Sequence, residues 1–362
     1  MSTHGVDTVA TRIDGGLGVI TLNRPKAINA LDGDMIAAMH SALDDWADGD
    51  AVKAVWVEGA GEKGLCAGGD VRAVREVIRG GDLDRALSFF AHEYELNALI
   101  ADYPMPFVAW MNGLVMGGGI GISAHGSHRL VTERTTIAMP ETIIGFFPDV
   151  GALWLLARAP GELGTHLALT GVTVGGAEAV MLGLADHVVS SGTRDEVYAD
   201  LSRAAAGGDP EALAAWEPPA EHLVEAATSD AGVTAEVGVT ALERQRGWID
   251  ECYAGVEIET ILERLRSCDE PAAANAVELI EQRSPHSVAL TLEALRRAAH
   301  MSVAEVLAQD LRLARAVIRH PDFDEGVRAQ LVDKDKSPQW ADRHVSDLQH
   351  SDIMAAFDSP RH

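Results

Sequence analysis

The sequence predicts an α/β fold in which a repeated α/β unit is followed by a helical C-terminal region. Two strand-like segments and then a helical one occur at least twice in residues 9–159. The apolar run at residues 107–111 lies between prolines and predicts a buried strand that ends in the glycine-rich stretch 112–121. Beyond residue 225, apolar residues recur at helical spacing and no strand is evident.

The N-terminal elements follow from periodicity and turn signals. Residues 9–22 predict two short strands joined at Asp14–Gly16, and Asn29 is a candidate cap for a helix at 32–47. Further strands are predicted at 52–57, 129–132 and 136–140, and further helices at 70–80, 82–101 and 151–159. Residues 140–149 are predicted to form a loop.

The C-terminal part is predicted to be a separate helical region. Glycines and prolines interrupt residues 204–225, which predicts a linker between a core at 1–203 and a helical region at 226–362. Helices are predicted at 256–265, 271–282, 287–299 and 302–318. The last begins with Ser302 and, three residues later, Glu305, the pattern of a capping box.

Composition narrows the possible functions. The 362 residues carry a formal net charge of −26, with 55 acidic against 29 basic side chains, which argues against nucleic acid and anionic membrane surfaces as partners. Three cysteines give no disulfide framework. No apolar run approaches the ~18 residues that span a bilayer, and residues 1–10 show no targeting pattern. We therefore expect a soluble cytoplasmic protein.

Two glycine turns are candidates for an oxyanion-binding site. Residues 66–70 and 116–119 each follow a predicted strand and precede a predicted helix. Main-chain N–H groups at such turns point outward, and two turns brought together could each direct one N–H at a single oxygen. The alternative is that the glycines only allow a helix and a strand to pack closely.

The carboxylates of Glu141 and Asp149 form a candidate catalytic pair. They flank a loop rich in apolar residues, where poor solvation raises carboxyl pKa values into the range of acid–base work. The alternative is that Glu141 lies at a helix start and Asp149 caps the next helix.

Other candidate motifs are weaker. Residues 119–124 match a dinucleotide-binding fingerprint but lack a surrounding βαβ unit, and the sequence around Ser123 lacks the second glycine of a nucleophile elbow. Cys66 is expected to be a core residue rather than a nucleophile. His125 and His128 have no third ligand in sequence, so a metal site is not expected.

Four motifs in order resemble the crotonase (enoyl-CoA hydratase/isomerase) superfamily: residues 21–31, 66–70, 112–119 and 139–145. The resemblance implies a crotonase-type spiral of repeated ββα units. It implies that the N–H groups of Gly69 and Gly118 form the oxyanion hole, and that the loop at Lys26 and Ala27 contacts the CoA adenine. Ala67 and Asp70 belong to the same motifs and are expected to contact substrate.

Within this superfamily the carboxylates indicate the branch. Hydratases use two glutamates, and the first of these positions is Gly121 here, whereas the second is Glu141. Dienoyl-CoA isomerases have an acid matching Asp149 but also keep one at the position of Gly121. The combination in this chain, with residues 92–97 upstream, resembles the 3-hydroxyisobutyryl-CoA hydrolase branch, in which Glu93 matches an acid that contacts the substrate.

The resemblance implies hydrolysis of a short 3-hydroxyacyl-CoA thioester, most simply 3-hydroxyisobutyryl-CoA in valine catabolism. Glu141 would attack the thioester or activate water, Asp149 would orient hydroxyl or water, and Lys26 and Lys334 are candidates for the CoA phosphates. No metal or redox cofactor is expected, CoA being part of the substrate, and a homo-oligomer is possible. The alternatives are a hydratase or isomerase, a non-catalytic acyl-CoA-binding protein and, more distantly, an NAD-dependent oxidoreductase.

Overall fold

The computed structural model describes residues 8–224 and 240–358 and confirms the predicted α/β class. Ten strands occur in the described residues: β1 (Val9–Asp14), β2 (Leu17–Leu22), β3 (Ala54–Gly59), β4 (Gly64–Cys66), β5 (Phe107–Met111), β6 (Leu114–Met116), β7 (His128–Thr132), β8 (Thr136–Ala138), β9 (Val174–Gly175) and β10 (His187–Val189). They form a six-stranded sheet, β1-β2-β3-β5-β7-β10, and a four-stranded sheet, β4-β6-β8-β9.

The helices alternate with the strands as far as β10, and in the described residues after β10 they occur without a further strand. They are α1 (Gly33–Ala47), α2 (Val71–Arg79), α3 (Leu83–Ala101), α4 (Gly118–Gly121), α5 (Ala152–Leu156), α6 (Leu163–Thr170), α7 (Gly176–Met181), α8 (Arg194–Gly207), α9 (Pro210–Ala214), α10 (Ala241–Tyr253), α11 (Ile258–Ser267), α12 (Pro271–Gln282), α13 (Pro285–Ala298), α14 (Val303–Val317), α15 (Pro321–Val327) and α16 (His350–Phe357). Short 3-10 turns occur at Pro25–Ala27 and Glu141–Ile144, and a π-helical turn at Arg328–Val332.

The chain climbs through the two sheets as a spiral. Strands β3, β5 and β7 pair in parallel in the larger sheet, and the strand after each of them, β4, β6 and β8, pairs in parallel in the smaller one. Each turn of the spiral therefore adds one strand to each sheet before the chain leaves through a helix or loop. This is the repeated ββα unit that the sequence predicts.

Local sequence signals are confirmed at several elements. β1 and β2 form the predicted antiparallel hairpin, β5 has the predicted bounds, and Ser302 with Glu305 forms the capping box of α14. The apolar side of α1 is buried as its helical spacing predicts. These elements were predicted from local periodicity and turn signals, and their tertiary packing preserves the locally favoured structure.

Two local predictions were wrong. Asn29 does not cap α1, because Asp32 accepts the N–H of Met35 at 2.9 Å, while the buried amide of Asn29 donates to main-chain carbonyls including that of Leu65, at 3.0 Å. Residues 114–116 form β6 rather than part of a turn, since their main chain pairs with β4 and β8 on either side.

The predicted linker at 204–225 contains regular structure where it is described. α8 continues to Gly207, α9 follows, and Leu213 and Trp216 are buried against the larger sheet, in a cluster that includes Trp110. The division at this stretch stays a prediction, and residues 225–239 lie outside the described part of the chain. From residue 240 onward each regular element in the described residues is a helix or a helical turn, as predicted, and residues 333–344 are irregular.

The C-terminal helices pack back onto the spiral instead of extending away from it. α14 contacts α3, and α15 contacts the 3-10 turn at Glu141–Ile144. Two glycines permit the second contact. A Cβ on Gly145 would lie 2.2 Å from the carbonyl oxygen of Asp322, and one on Gly326 would lie 2.4 Å from the carbonyl carbon of Ile144. The C-terminal region thus supports the loop that carries Glu141. None of the described helices combines the length and the apolar character needed to cross a membrane.

Candidate active site

The two glycine turns meet, as the sequence predicts. The parallel pairing of β4 with β6 places residues 67–70 beside residues 117–119, and a Cβ on Gly118 would lie 3.3 Å from the amide nitrogen of Gly69. Gly68 and Gly117 have φ of +102° and +48°, which L side chains rarely adopt. In the described part of the chain neither Gly69 N–H nor Gly118 N–H has a hydrogen-bond acceptor, so both donors are available to a ligand oxygen.

Three carboxyl groups lie around this turn. Glu93 is on α3, Glu141 opens its 3-10 turn, and Asp149 lies in the loop before α5; each is at most 7 % exposed. A Cβ on Gly118 would lie 2.3 Å from Glu93 Oε1, and one on Gly117 would lie 2.8 Å from Glu141 Oε1. A side chain at either glycine would therefore displace one of these carboxyl groups from its present position.

Buried oxygens of two of the acids have no partner among the described residues. Glu93 Oε1 and Glu141 Oε2 lack a hydrogen bond, whereas Asp149 Oδ2 accepts from the hydroxyl of Tyr94 at 2.6 Å. An unpaired buried carboxyl oxygen is costly unless a ligand or water satisfies it. The two oxygens lie beside the free N–H groups, so a ligand bound there could contact both.

Burial controls the ionisation of the three acids. It raises the pKa of Asp149 from 3.8 to about 7, against the opposing effect of the Tyr94 hydroxyl. Burial, and then the charge of Asp149, hold the pKa of Glu93 and of Glu141 well above the ordinary value. Ionisation of Asp149 therefore opposes ionisation of Glu93 and Glu141, and the three acids titrate as a coupled group.

The cavity between the acids and the glycines has a volume of about 360 Å³ and a mostly apolar wall. Phe89 and Phe90 line one side, and Phe146 stacks on Phe90 with ring centroids 5.1 Å apart. Gln330 and Leu331 of the π-helical turn complete the wall from the C-terminal region. A cavity of this size and character suits a short acyl group and the apolar part of its carrier.

The remaining predicted contact residues lie at different distances from this cavity. Ala67 lines it, while Asp70 lies in a neighbouring depression, caps α2 and pairs with Arg24 at 3.2 Å. Lys26 and Ala27 are exposed on their 3-10 turn. Lys334 is exposed three residues after Leu331, with φ of +58°. The structure therefore brings Glu93 and Ala67 together with the catalytic candidates. It leaves the two lysines on the surface.

Gly121 lies behind the site in a space that has no room for a side chain. A Cβ there would be 2.7 Å from Asn97 Nδ2 and 2.8 Å from the Cβ of Val150. In the crotonase resemblance this is the position of a hydratase's first glutamate. Here the packing of α3 against the Asp149 loop fills that position instead.

No role was predicted from the sequence for two residues that contact Asp149 or the main chain just after it. Tyr94 follows Glu93 directly, and its hydroxyl bonds to the carboxylate as described. Asp310 on α14 is completely buried and accepts the N–H of Gly151 at 2.9 Å. The motif at residues 92–97 contained the signal for Tyr94, whereas Asp310 lies 159 residues from its partner and gave no local signal.

The weaker motifs have structural roles. The Cys66 thiol is fully buried and burial raises its pKa to about 12, so it is not a thiolate nucleophile. Ser123 donates its hydroxyl to the carbonyl of Gly119 at 2.6 Å. His125 Nε2 donates to the carbonyl of Val150 at 2.8 Å. Among the residues that the structure describes, no group of acids, histidines and cysteines is arranged to hold a metal ion.

Comparison with known proteins places this geometry in a family. The sequence profile of the enoyl-CoA hydratase/isomerase family matches residues 17–357. The mitochondrial 3-hydroxyisobutyryl-CoA hydrolase of Gallus gallus is 38 % identical over 340 residues, which cover 93 % of this chain and 85 % of the relative.

Two solved structures share the whole architecture. A carnitinyl-CoA dehydratase from Mycobacterium thermoresistibile has a TM-score of 0.86 at 43 % identity, covering 98 % of this chain and 97 % of that one. An enoyl-CoA hydratase from Rhodobacter sphaeroides has the same TM-score at 33 % identity, with 98 % of both chains covered. The similar proteins thus share a fold but carry names for more than one reaction.

Proposed function

The chain belongs to the enoyl-CoA hydratase/isomerase family and is an enzyme, and we propose that it hydrolyses a short 3-hydroxyacyl-CoA thioester, with 3-hydroxyisobutyryl-CoA as its preferred substrate. One observation carries the proposal. Glu141 shares a cavity with the N–H groups of Gly69 and Gly118, while the packing at Gly121 leaves no room for the first glutamate of a hydratase.

The glycine turns supply the electrostatic part of the mechanism. The thioester carbonyl oxygen accepts from Gly69 N–H and Gly118 N–H, and both hydrogen bonds strengthen as that oxygen becomes negative during attack. Each donor in such a site contributes a factor of about 100–1,000 in rate. The surrounding apolar wall excludes water and strengthens these interactions.

Glu141 supplies the attack on the carbonyl carbon in one of two ways. As a nucleophile it forms a mixed anhydride and expels the CoA thiolate, and water then hydrolyses the anhydride. As a general base it takes a proton from the attacking water, so that one tetrahedral intermediate breaks down to acid and thiol. In either case Glu141 must first lose its proton, and Asp149 is the neighbouring carboxylate that can accept it.

Glu93 and Asp149 favour a substrate with a 3-hydroxyl group. The unpaired Glu93 Oε1 lies beside Gly118, where the acyl chain must pass. A substrate hydroxyl satisfies that oxygen, whereas an analogue without it leaves a buried polar group unpaired. Sites built in this way discriminate by up to about four orders of magnitude, and a missing methyl group changes rates only ~10- to 200-fold.

A second candidate is hydration or dehydration of an acyl-CoA. The names of the two solved relatives favour it, and Glu93 and Glu141 could act as an acid–base pair although Gly121 provides no glutamate. Hydration requires one group to deliver water to C3 and another to manage the proton at C2. In this arrangement the two tasks would fall on Glu93 and Glu141, and ionisation of both is opposed by burial and by the charge of Asp149, whereas hydrolysis requires only Glu141 to ionise.

A panel of thioesters separates these functions. We expect rapid thiol release from 3-hydroxyisobutyryl-CoA, slower release from 3-hydroxypropionyl-CoA and poor release from isobutyryl-CoA, with little hydration of crotonyl-CoA. The proposal fails if isobutyryl-CoA is cleaved as fast as its hydroxylated relative, or if crotonyl-CoA is hydrated faster than any thioester is cleaved.

The variant Glu141→Gln tests the assigned residue. It keeps the shape of the side chain but can neither attack nor take a proton, so nearly all turnover should be lost without loss of thermal stability. A single turnover of the wild type in ¹⁸O-water then tests for the anhydride. Label in the Glu141 carboxyl shows that the anhydride forms and that water opens it at the glutamyl carbon, whereas label confined to the product acid arises from general base catalysis or from water attack on the acyl carbon of the anhydride.

A further inference from the structure

The main chain that carries Asp149 has a conformation that other residues must hold. Val150 and Gly151, which follow it, have φ of +54° and +73°. A β-branched residue rarely adopts this left-handed region, and Val150 is also buried, with 1 % of its surface exposed. Such a backbone persists only where its surroundings stabilise it.

Two side chains hold this segment through its main chain. His125 donates from Nε2 to the carbonyl of Val150 at 2.8 Å, and Asp310 Oδ2 accepts the N–H of Gly151 at 2.9 Å. A Cβ on Gly151 would lie 2.7 Å from His125 Nε2, so the segment fits closely between its two supports. The second support comes from α14, in the C-terminal region.

Asp310 is an acidic residue at a buried position of α14. It is completely buried, and its neighbours on α14 include the buried apolar side chains of Leu307, Leu313 and Ala314. Its second oxygen, Oδ1, has no hydrogen-bond partner among the described residues. Burial raises the pKa of this carboxyl well above 3.8. An apolar residue would pack there at lower cost, so the contact with Gly151 is what the acid provides.

We propose that Asp310 is a positioning residue for Asp149, acting through the Gly151 N–H from the C-terminal region. By fixing the main chain two residues after Asp149, it holds that carboxylate against the Tyr94 hydroxyl and at the edge of the cavity. The proposal rests on the proposed function for its kinetic consequence, but its structural consequence can be measured without any substrate.

The test compares three variants on the best thioester of the panel. Asp310→Leu removes the acceptor and keeps the volume, and Asp310→Asn keeps an acceptor oxygen in a neutral group. Gln309→Leu is the matched control, because Gln309 is the adjacent residue, equally buried, and donates to the carbonyl of Ala294 rather than to the Asp149 loop. If Asp310→Leu does not fold, Asp310→Ala replaces it.

We expect the leucine variant to lose about 100-fold in kcat at nearly unchanged KM, since a misplacement of about 1 Å costs that much. The asparagine variant should retain most of kcat. The control should lower thermal stability and leave kcat unchanged. A folded leucine variant with wild-type kcat overturns the proposal, and so does a control that loses as much kcat as Asp310→Leu.

A second readout keeps the proposal separate from the assignment of the reaction. In hydrogen–deuterium exchange without substrate, the amide of Gly151 should be protected in the wild type and in Asp310→Asn, and should exchange faster in Asp310→Leu. If the wild type cleaves no thioester, the proposed function fails. The exchange rate of the Gly151 amide then serves as the test of the role of Asp310. Equal protection in all three proteins then overturns the role of Asp310.

Discussion

Replacing Asp149 with asparagine should stabilise the fold while it removes activity, and the gain should grow with pH. Burial raises the pKa of this carboxyl from 3.8 to about 7. Between these values the folded protein holds a proton that the unfolded chain has released, so stability falls as pH rises through the window. Above pH 7 the destabilisation by Asp149 becomes constant, because the carboxyl is then ionised in both the folded and the unfolded protein.

The magnitude follows from the same shift. A pKa that is about three units higher in the folded state lowers the free energy of unfolding by about 4 kcal/mol at pH 8.5. The same relation gives a loss of about 2 kcal/mol at pH 5.5. The entropy of unfolding of 362 residues is about 0.8 kcal/mol per kelvin. Asp149→Asn, whose amide oxygen can still accept from Tyr94, should therefore gain about 2–3 °C more in Tm at pH 8.5 than at pH 5.5.

The assay is thermal unfolding of both proteins at these two pH values, which avoid the calculated pI of 4.8. Asp45→Asn, an exposed position on α1, controls for the loss of one negative charge from an acidic protein. A change in Tm that is the same at both pH values would refute the reasoning, because a lost contact has no such pH dependence. Thiol release should be nearly absent in Asp149→Asn at both.

Three further changes test separate parts of the site. Tyr94→Phe removes the hydrogen bond that lowers the pKa of Asp149, so the rising limb of kcat against pH, expected near pH 7, should move to higher pH; an unmoved limb contradicts the assignment. Gly121→Glu should destabilise the protein by more than about 2 kcal/mol, since even its Cβ meets Asn97, and should create no crotonyl-CoA hydration; a stable and active hydratase contradicts this. Lys334→Ala should raise KM for an acyl-CoA but not for the matching acyl-pantetheine, which lacks the phosphates; equal effects on both exclude a phosphate contact.

The fold and the glycine turns could be predicted because their signals are local. Strand–strand–helix recurrence, the apolar run of β5 and the glycine clusters each depend on a few consecutive residues. The sequence also shows that position 121 carries no acid, but it does not show the physical reason. That reason is the approach of Asn97 and Val150, which come from two other segments of the chain.

The roles of Tyr94 and Asp310 depend on packing between distant elements, so helical spacing did not predict them, and only Tyr94 had a local signal, in the motif at residues 92–97. Consecutive residues on a helix do not share a face, so burial of Glu93 argues against burial of Tyr94. Both are buried because α3 is covered on one side by the glycine turn and on another by α14. A single acid at helical spacing, such as Asp310, is most simply read as solvent-facing, and only the tertiary contact shows otherwise.

The close contact between α15 and the loop before Phe146 has a consequence for engineering and for divergence within the family. Gly145 and Gly326 allow two main chains to touch, so a side chain gained at either position forces them apart. A chimera that joins this N-terminal spiral to the C-terminal helices of a relative would bring mismatched surfaces to that seam. To introduce a new substrate preference, residues 140–151 and α14–α15 must therefore be exchanged together, so that their contact surfaces come from the same protein.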